Sequence, residues 1–463
     1  MESRFMHDIK LRIVKSLDVV LIAVPFALCW YRYYAALPKV PFYHRGNQLI
    51  IALFVLLFIL FGRTYDSFLI SINRVGEIIF SQALAVFFAD VIMYFVTVLL
   101  AQQLVSPWPL LMAFAAQLLI ASLWAFTCNR WYYWHFPVKK SAIIYDVRPG
   151  LEKLIGEYGL ENKYEVRVTA SAQNCIDCLH MLDEVDVAFL SGIHSHDRNI
   201  ILKYCIAKDI DVYVIPRIGD TLMDSARHMH MFHLPILRIG RYNPTPEYVL
   251  IKRLFDLISS AVLLALLSPL MLATAIAIKA EDRGPVFYRQ ARLTKDGRIF
   301  KIIKFRSMKP DAEKDGVARL SSGDKDDRIT NVGRVIRKFR IDEIPQLLNI
   351  LSGSMSVVGP RPERPEIARE YEKELPEFRL RLQGKAGLTG YAQVYGKYNT
   401  EPYDKLQMDL MYFAHPSLLE DLRIILATIK ILFSPESTQG VDEGARTAEK
   451  KPSDKERQEF YDR

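Results

Sequence analysis

A chain of 463 residues exceeds one ordinary domain, so two or three are expected. It is 51% hydrophobic, which is high for a soluble protein of this size and points to membrane segments. A formal charge of +8 favours anionic partners, and the apolar segments select acidic lipid headgroups or phosphorylated substrates over nucleic acid. Five cysteines (Cys29, Cys128, Cys175, Cys178, Cys205) are too scattered for a disulfide framework, and Cys175-x-x-Cys178 lacks the setting of a redox pair. The N-terminus has no h-region followed by a small-residue cleavage site, so no secretory signal is expected to be removed.

Four apolar stretches, about 17–30, 49–61, 78–100 and 110–126, predict a four-helix transmembrane bundle over residues 1–138. Aromatic belts flank them, Trp30 to Tyr34 after the first and Trp131 to Trp134 after the last. Arg4, Lys10, Arg12 and Lys15 precede the first span, Arg63 and Arg74 follow the second, and Arg130, Lys139 and Lys140 follow the fourth. The positive-inside rule therefore puts both ends of the bundle in the cytoplasm. Asp90, inside the third span, is either functional or a structural group facing the bundle interior.

Residues 139–241 alternate short strands (SAIIYD, YEVRVTA, DVAFLS, DVYVIPR) with helical stretches such as LEKLIGEYGL and NIILKYCIAK. That is the pattern of a four-stranded, Rossmann-like α/β module. Its first turn reads YDVRPG rather than G-x-G-x-x-G, so no dinucleotide cradle is expected and an accessory role is predicted. His228, His230 and His233 alternate with Met and Phe, which reads as a packed or interfacial strand rather than a metal site.

A fifth apolar stretch, 255–278, opens the region 242–441. It is long enough to cross, yet crossing would export the basic cluster from Arg283 to Lys309, which contains only one acid, Asp296. Ser268-Pro269 sits in its middle, where proline has no N–H and collides with the carbonyl four residues back. A kink there, with cations at both ends, predicts a re-entrant helix that enters and leaves on the cytoplasmic side. The tail 442–463 is polar, without apolar periodicity, and reads as disordered.

The stretch FRIDEIPQLLNIL (339–351) sets Asp342 and Glu343 two residues before a proline that opens an apolar helix. Arg334, Arg337, Lys338 and Arg340 precede the pair. Carboxylates at a helix start are favoured by the macrodipole, and an aspartate cap with a solvated glutamate would give the same pattern as a reactive pair.

Six segments in order settle the choice: KRLFD, the Ser-Pro helix, FKIIKFRSM, RITNVGRVIRKFRIDEIPQLLNIL, MSVVGPRPE and GLTGYAQVYGK. From Lys252 to about Phe433 the chain resembles the polyprenyl-phosphate sugar-1-phosphate transferases, the monotopic phosphoglycosyl transferases, in their long multidomain form. The resemblance implies a membrane protein with a mainly α catalytic domain at 242–441, held on the cytoplasmic face of the bacterial inner membrane. Its implied reaction moves a sugar 1-phosphate from a UDP-sugar to undecaprenyl phosphate, releases UMP and begins surface glycan assembly. Asp342 falls on the family's nucleophile and Glu343 on its metal-associated or acid/base partner; magnesium is implied, with Asp342 and Glu343 as its ligands. Lys304, Arg306, Arg337 and Arg361 fall on phosphate-handling positions.

Glucose and galactose are the leading sugars by analogy with long members, with N-acetylated sugars open, and a homodimer is compatible with the resemblance. The chain departs from the family pattern at Ser354, at Lys385-Ala386-Gly387, at Arg292-Leu293-Thr294 and at Lys397, which touches substrate detail rather than the carboxylate pair. Asp409 and Asp421 match acidic family positions and would equally serve as ion-pair partners. The runner-up reading is a non-catalytic scaffold that binds lipid phosphate through its basic face; it would leave Asp342 and Glu343 dispensable. A nicotinamide-dependent sugar-modifying enzyme is disfavoured by the missing glycine fingerprint and the absent Tyr-x-x-x-Lys pair.

Overall fold

The computed structural model describes residues 2–40, 42, 45–146, 151–157, 160–309, 328–396 and 401–432. The tail 442–463, Lys397 and the last four residues of YDVRPG lie outside them. Contacts divide the chain into two units, Met1–Pro216 and Arg217–Arg463.

In the first unit four long helices come first: α1 (Glu2–Cys29), continued by a π-helical turn (Trp30–Tyr34), α2 (Gly46–Thr64), α3 (Val75–Ala101) and α4 (Trp108–His135). Each is long and apolar enough to cross a membrane. Aromatic rings join successive helices. Phe26 stacks on Phe54 at 4.3 Å between α1 and α2, Phe61 meets Phe88 at 5.7 Å between α2 and α3, and Phe87 meets Phe114 at 6.2 Å between α3 and α4. Polar bonds add cross-links. Gln82 on α3 donates to Asp18 on α1 at 2.8 Å, and Gln117 on α4 donates to the Ile22 carbonyl at 3.2 Å. Asp90 is 4% exposed, so it faces the packed interior rather than the outside.

The α/β region follows, with β1 (Lys139–Tyr145), α5 (Leu151–Glu157), β2 (Tyr164–Ser171), α6 (Ala172–Asp177), β3 (Val187–Ser191), α7 (Ser195–Ala207) and β4 (Asp211–Ile215). All neighbouring strands pair in parallel, in the order β2-β1-β3-β4. Short continuous apolar runs build this layer: Ala142, Ile144, Ala188 and Leu190 pack with Cys175, Ile201 and Cys205 of α6 and α7. Cys175 is thus a core residue and Cys178 an exposed one, both free thiols.

The second unit begins with α8 (Ile218–Asp224) and an antiparallel ribbon, β5 (Arg227–Met231) and β6 (Leu234–Arg238). His228 and His230 lie on β5, but the ribbon is exposed, with Phe232 at its turn 81% accessible. Of the two alternatives, a packed or an interfacial strand, exposure rules out the packed one within this chain. A two-stranded ribbon has one layer only and nothing to bury its Met and Phe against.

Next comes α9 (Pro246–Asp282), a single 37-residue helix, about 55 Å at the usual rise. It continues through Pro269. The proline cannot donate to the Ala265 carbonyl, and the Ser268 hydroxyl donates to that oxygen instead, at 2.8 Å. Much of α9 is uncovered, with Ile258 64% and Leu266 71% exposed. Its two ends are not. Near the start, Arg253 donates to the carbonyls of Ile350 and Leu351 at 2.7 and 2.9 Å, Asp256 accepts from the Val357 N–H at 2.9 Å, and Lys252 pairs with Asp421 at 2.8 Å. Near the end, Ile278 packs with Phe305 and Ile336, and Glu281 accepts the Asn331 N–H at 2.8 Å.

The remainder builds a small core around the two ends of α9. Its elements are the hairpin β7 (Phe287–Leu293) and β8 (Ile299–Phe305), α10 (Asn331–Lys338), α11 (Gln346–Leu351), β9 (Met355–Val358), α12 (Pro365–Glu374), β10 (Ala386–Thr389), α13 (Tyr391–Tyr395), α14 (Pro402–Ala414) and α15 (Leu418–Leu432). Ile302, Leu347, Ile350, Met355, Phe378, Leu406, Leu410 and Ile424 fill it. β9 and β10 pair in parallel, and Gly387 lies so close to Gly359 that a Cβ would fall 2.2 Å from its nitrogen.

Candidate active site

The approach to the acidic pair is set by α10 and by one unusual backbone conformation. Thr330 caps α10, its hydroxyl accepting the Gly333 N–H at 2.9 Å. The helix ends at Lys338, and Arg340 takes a left-handed φ of 53°. That conformation is costly without glycine, so the surrounding packing must hold it. It turns the chain into a single 3-10 turn, Ile341–Glu343, after which Pro345 starts α11. The pair therefore sits on its own turn, ahead of the helix rather than within its first residues.

Strand β8 brings the first cation. Asn349, 6% exposed on α11, braces the strand from both sides of its amide: it accepts from the Ile303 N–H and donates to the Lys301 carbonyl, each at 2.9 Å. With β8 fixed in this way, Lys304 reaches Glu343 at 2.8 Å. Arg361, in the loop after β9, reaches the same carboxylate oxygen at 3.3 Å, and Arg340 lies 3.9 Å from the other. Arg361 is itself held from behind. Arg381, 3% exposed, donates to its carbonyl at 3.1 Å while pairing with buried Asp409 at 2.8 Å and Glu363 at 3.5 Å. Burial pushes Asp409 up to about 6 against the pull of Arg381.

These contacts divide two adjacent carboxyl groups into different chemical states. Burial works against charge on Glu343, but Lys304, Arg361 and Arg340 outweigh it and hold this carboxyl well below the usual range. Asp342 receives no such clamp: among the described residues nothing hydrogen-bonds its carboxylate. Burial, with the negative charge of Glu343 added, lifts it to about 6, while Lys304, Arg337 and Arg340 act from a distance to lower it. Glu343 is thus a fixed anion that gathers cations, and Asp342 is a carboxylate whose oxygens are uncommitted. Environments that push neighbouring acids apart in this manner are a mark of acid, base and nucleophile assignments.

Of the four cations expected to handle phosphate, Lys304 and Arg361 touch the pair directly, and Arg337 acts on Asp342 through space with one guanidinium nitrogen buried and unbonded. Arg306 does not join them. It is 6% exposed, pairs with Asp282 at the end of α9 and donates to the Pro285 carbonyl at 2.7 Å. Its place is structural, tying β8 to α9. Asp421 likewise serves an internal network, accepting from Lys252, Tyr248 and Tyr412.

Three residues outside the expected set enter the site. Arg292 and Gln346 line a cleft with Ile302, Lys304, Glu343, Arg361, Gly387 and Leu388, and Arg381 supports Arg361 from beneath. The nearest sequence signal was the retained arginine at position 292 in an otherwise altered motif.

No group of three or more His, Cys, Asp or Glu side chains gathers among the described residues, so no all-protein metal cage is present there. Magnesium does not require one, since it commonly binds one or two carboxylates together with substrate phosphates. The uncommitted Asp342 carboxylate, with Glu343 beside it, fits that pattern.

Comparison with known proteins identifies the family. Residues 247–435 match the family described as bacterial sugar transferase. The chain is 39% identical over 236 residues to an Aeromonas hydrophila UDP-N-acetylgalactosamine-undecaprenyl-phosphate N-acetylgalactosaminephosphotransferase, a match covering 50% of this chain and 55% of that protein. It is 41% identical over 206 residues to a Caulobacter vibrioides UDP-glucose:undecaprenyl-phosphate glucose-1-phosphate transferase, covering 43% of this chain and 76% of the relative. A Rhizobium leguminosarum exopolysaccharide production protein is 38% identical over 192 residues, covering 39% of this chain and 94% of its own length. The chain thus spans about half the length of the Aeromonas relative and nearly all of the Rhizobium one, and it belongs to the bacterial sugar transferase family.

Proposed function

We propose that this protein transfers a sugar 1-phosphate from a UDP-sugar to polyprenyl phosphate, with Asp342 as covalent nucleophile. The observation that carries the reading is the division of labour within the pair: Glu343 clamped by Lys304 and Arg361, Asp342 without a hydrogen bond from any described residue. The named activities of the relatives supply the substrate class. Glucose and N-acetylgalactosamine, printed in those names, are the first sugars to try.

In the first half-reaction an Asp342 oxygen attacks the β-phosphorus of the UDP-sugar. The bond from that phosphorus to the oxygen bridging the α-phosphate breaks, and UMP leaves with that oxygen. In the second half, an oxygen of polyprenyl phosphate attacks the same phosphorus, the bond to Asp342 breaks, and the carboxylate returns. A carboxylate nucleophile divides one difficult displacement into two easier ones. Lys304, Arg337 and Arg361 offset the charge of two polyanionic substrates. Asp342 and Glu343 would hold magnesium, which neutralises phosphate charge when bound.

Helices α1–α4 are read as a transmembrane bundle with both ends in the cytoplasm of a bacterial inner membrane, and α9 as re-entrant at Ser268-Pro269. Support for the second point lies in the two ends of α9. Asp256 bonds β9 and Ile278 packs against β8 and α10, so one folded body holds both ends of the apolar segment. A spanning helix would put those ends on opposite sides of the bilayer. Uncovered residues such as Ile258 and Leu266 would face lipid, and the cations from Arg283 to Lys309 would meet acidic headgroups.

Replacing Asp342 with Asn leaves a neutral amide that cannot form the acyl phosphate, and UMP release is expected to fall by several decades. A residual rate of a tenth of wild type, a loss of about 1.4 kcal/mol of barrier stabilisation, would leave direct attack by the lipid as the mechanism.

Because Asp342 must be ionised to attack, kcat/KM is expected to be full only well above its pKa of about 6, to be halved near that pH and to decline as pH falls further. Arg337→Ala removes a charge that lowers the Asp342 pKa, so the acid limb moves to higher pH. Glu343→Gln removes one that raises it, so the residual activity keeps its limb to lower pH. Limbs that stay in place in both variants would separate Asp342 from the titration.

Topology is testable with single cysteines at Glu247 and Arg283 in a cysteine-free background. Both are expected to resist an impermeant thiol reagent applied outside intact cells. Labelling at Arg283 alone would establish a spanning helix.

A further inference from the structure

Where the α/β sheet follows the bundle, two lysines lie side by side with one acid between them. Lys139 opens β1 and Lys163 stands just before β2, and the Lys139 N–H donates to the Lys163 carbonyl at 2.9 Å. Asp211 pairs with Lys139 at 3.1 Å. Among the described residues no carboxylate answers Lys163. The residue is 9% exposed, and its ammonium stands over the Tyr164 ring, 4.9 Å from the centroid. Burial, with the charge of Lys139 added, lowers its amine to about 8. A largely covered cation beside a second one is stabilised by any anion that reaches it.

The surroundings say which anion. Helix α4, long and apolar enough to cross a membrane, ends at His135. Lys139 follows by four residues, a reach of at most ~14 Å. Tyr132, in the last turn of α4, is an electrostatic neighbour of Tyr164. Tyr164 meets Phe189 edge-on at 5.1 Å, and Phe189 stacks at 5.2 Å on Tyr213, which is 50% exposed. Aromatic rings with basic groups at the end of a membrane helix are the chemistry of the headgroup layer. We propose that Lys163, with Lys139 beside it, binds the phosphate of an anionic phospholipid and so ties the α/β sheet to the bilayer surface. A free phosphate ion offers similar charge, but nothing in it calls for exposed aromatic rings or for the end of an apolar helix. The site rests on reading α4 as a membrane helix and is independent of the transferase reading.

Full-length protein in nanodiscs is labelled with acetic anhydride at about pH 8, where about half of the Lys163 amine is uncharged. Labelling is read by peptide mass relative to Lys208, which already has Asp183 as a partner at 3.1 Å. In phosphatidylcholine, whose choline offsets its own phosphate, Lys163 is expected to react. Phosphatidylglycerol in the disc is expected to cut that labelling by about fivefold, because a bound phosphate keeps the amine protonated and covered. Inorganic phosphate added to phosphatidylcholine discs is expected to change nothing. Equal labelling in both lipids would leave the amine without a lipid partner. Equal protection by inorganic phosphate would make this a free-anion site, and no labelling in phosphatidylcholine would mean that the protein itself covers the amine. Each of these overturns the assignment. Failure of the protein to enter the discs would overturn the membrane reading, and this site with it.

Discussion

The salt bridge from Lys304 to Glu343 is the contact on which the site turns. At 2.8 Å, with Arg361 added at 3.3 Å, it fixes Glu343 as an anion despite its burial. The adjacent Asp342 then sits beside a permanent negative charge in a desolvated place, with its own oxygens unbound. The same clamp thus holds one carboxyl ionised while burial and its neighbour's charge raise the pKa of the next. Without the clamp, two neighbouring buried carboxyl groups would share their protons, and neither would have a defined role.

Holding that clamp in position takes most of the second unit. Lys304 depends on β8, and β8 depends on the two hydrogen bonds from Asn349. Asn349 belongs to α11, whose last carbonyls are bound by Arg253 of α9. Arg361 depends on Arg381 and, through it, on Asp409. The apolar helix α9 is thereby a strut of the site as well as a candidate membrane anchor. Its first turns hold α11 and β9, and its last turns hold β8 and α10. The apolar segment and the acidic pair thus share one framework.

Much of this was legible in the chain itself. Runs such as SAIIYD and DVAFLS, rich in β-branched and apolar residues, became parallel strands because burial on both faces leaves a continuous apolar signal. Asp342 and Glu343 were visible through the basic approach and the following proline. What could not be read was the unequal fate of the two acids, because Lys304 and Arg361 are 39 and 18 residues away from Glu343 and meet it only through folding. Arg306 shows the opposite failure. Two residues from Lys304, it invites the same role, but β8 ends at Phe305 and strand alternation ceases, leaving Arg306 to pair with Asp282. His228 and His230 were read as lying on a packed or interfacial strand because Met and Phe surround them, and the packed alternative needs a second layer that the ribbon lacks. Gln346 carried no signal at all: within QLLNIL it is one more polar residue on an amphipathic turn, and only folding brings it to the cleft.

Covalent catalysis requires a bond between Asp342 and the phosphosugar. Its most direct test is to incubate the full-length protein with a radiolabelled UDP-sugar in the absence of polyprenyl phosphate and to map the label. The expected result is UMP release that stops near one equivalent, with a sugar phosphate on the peptide containing Asp342 that hydroxylamine discharges and added polyprenyl phosphate collects. UMP release that begins only when the lipid is present, with no label on the protein, would contradict it.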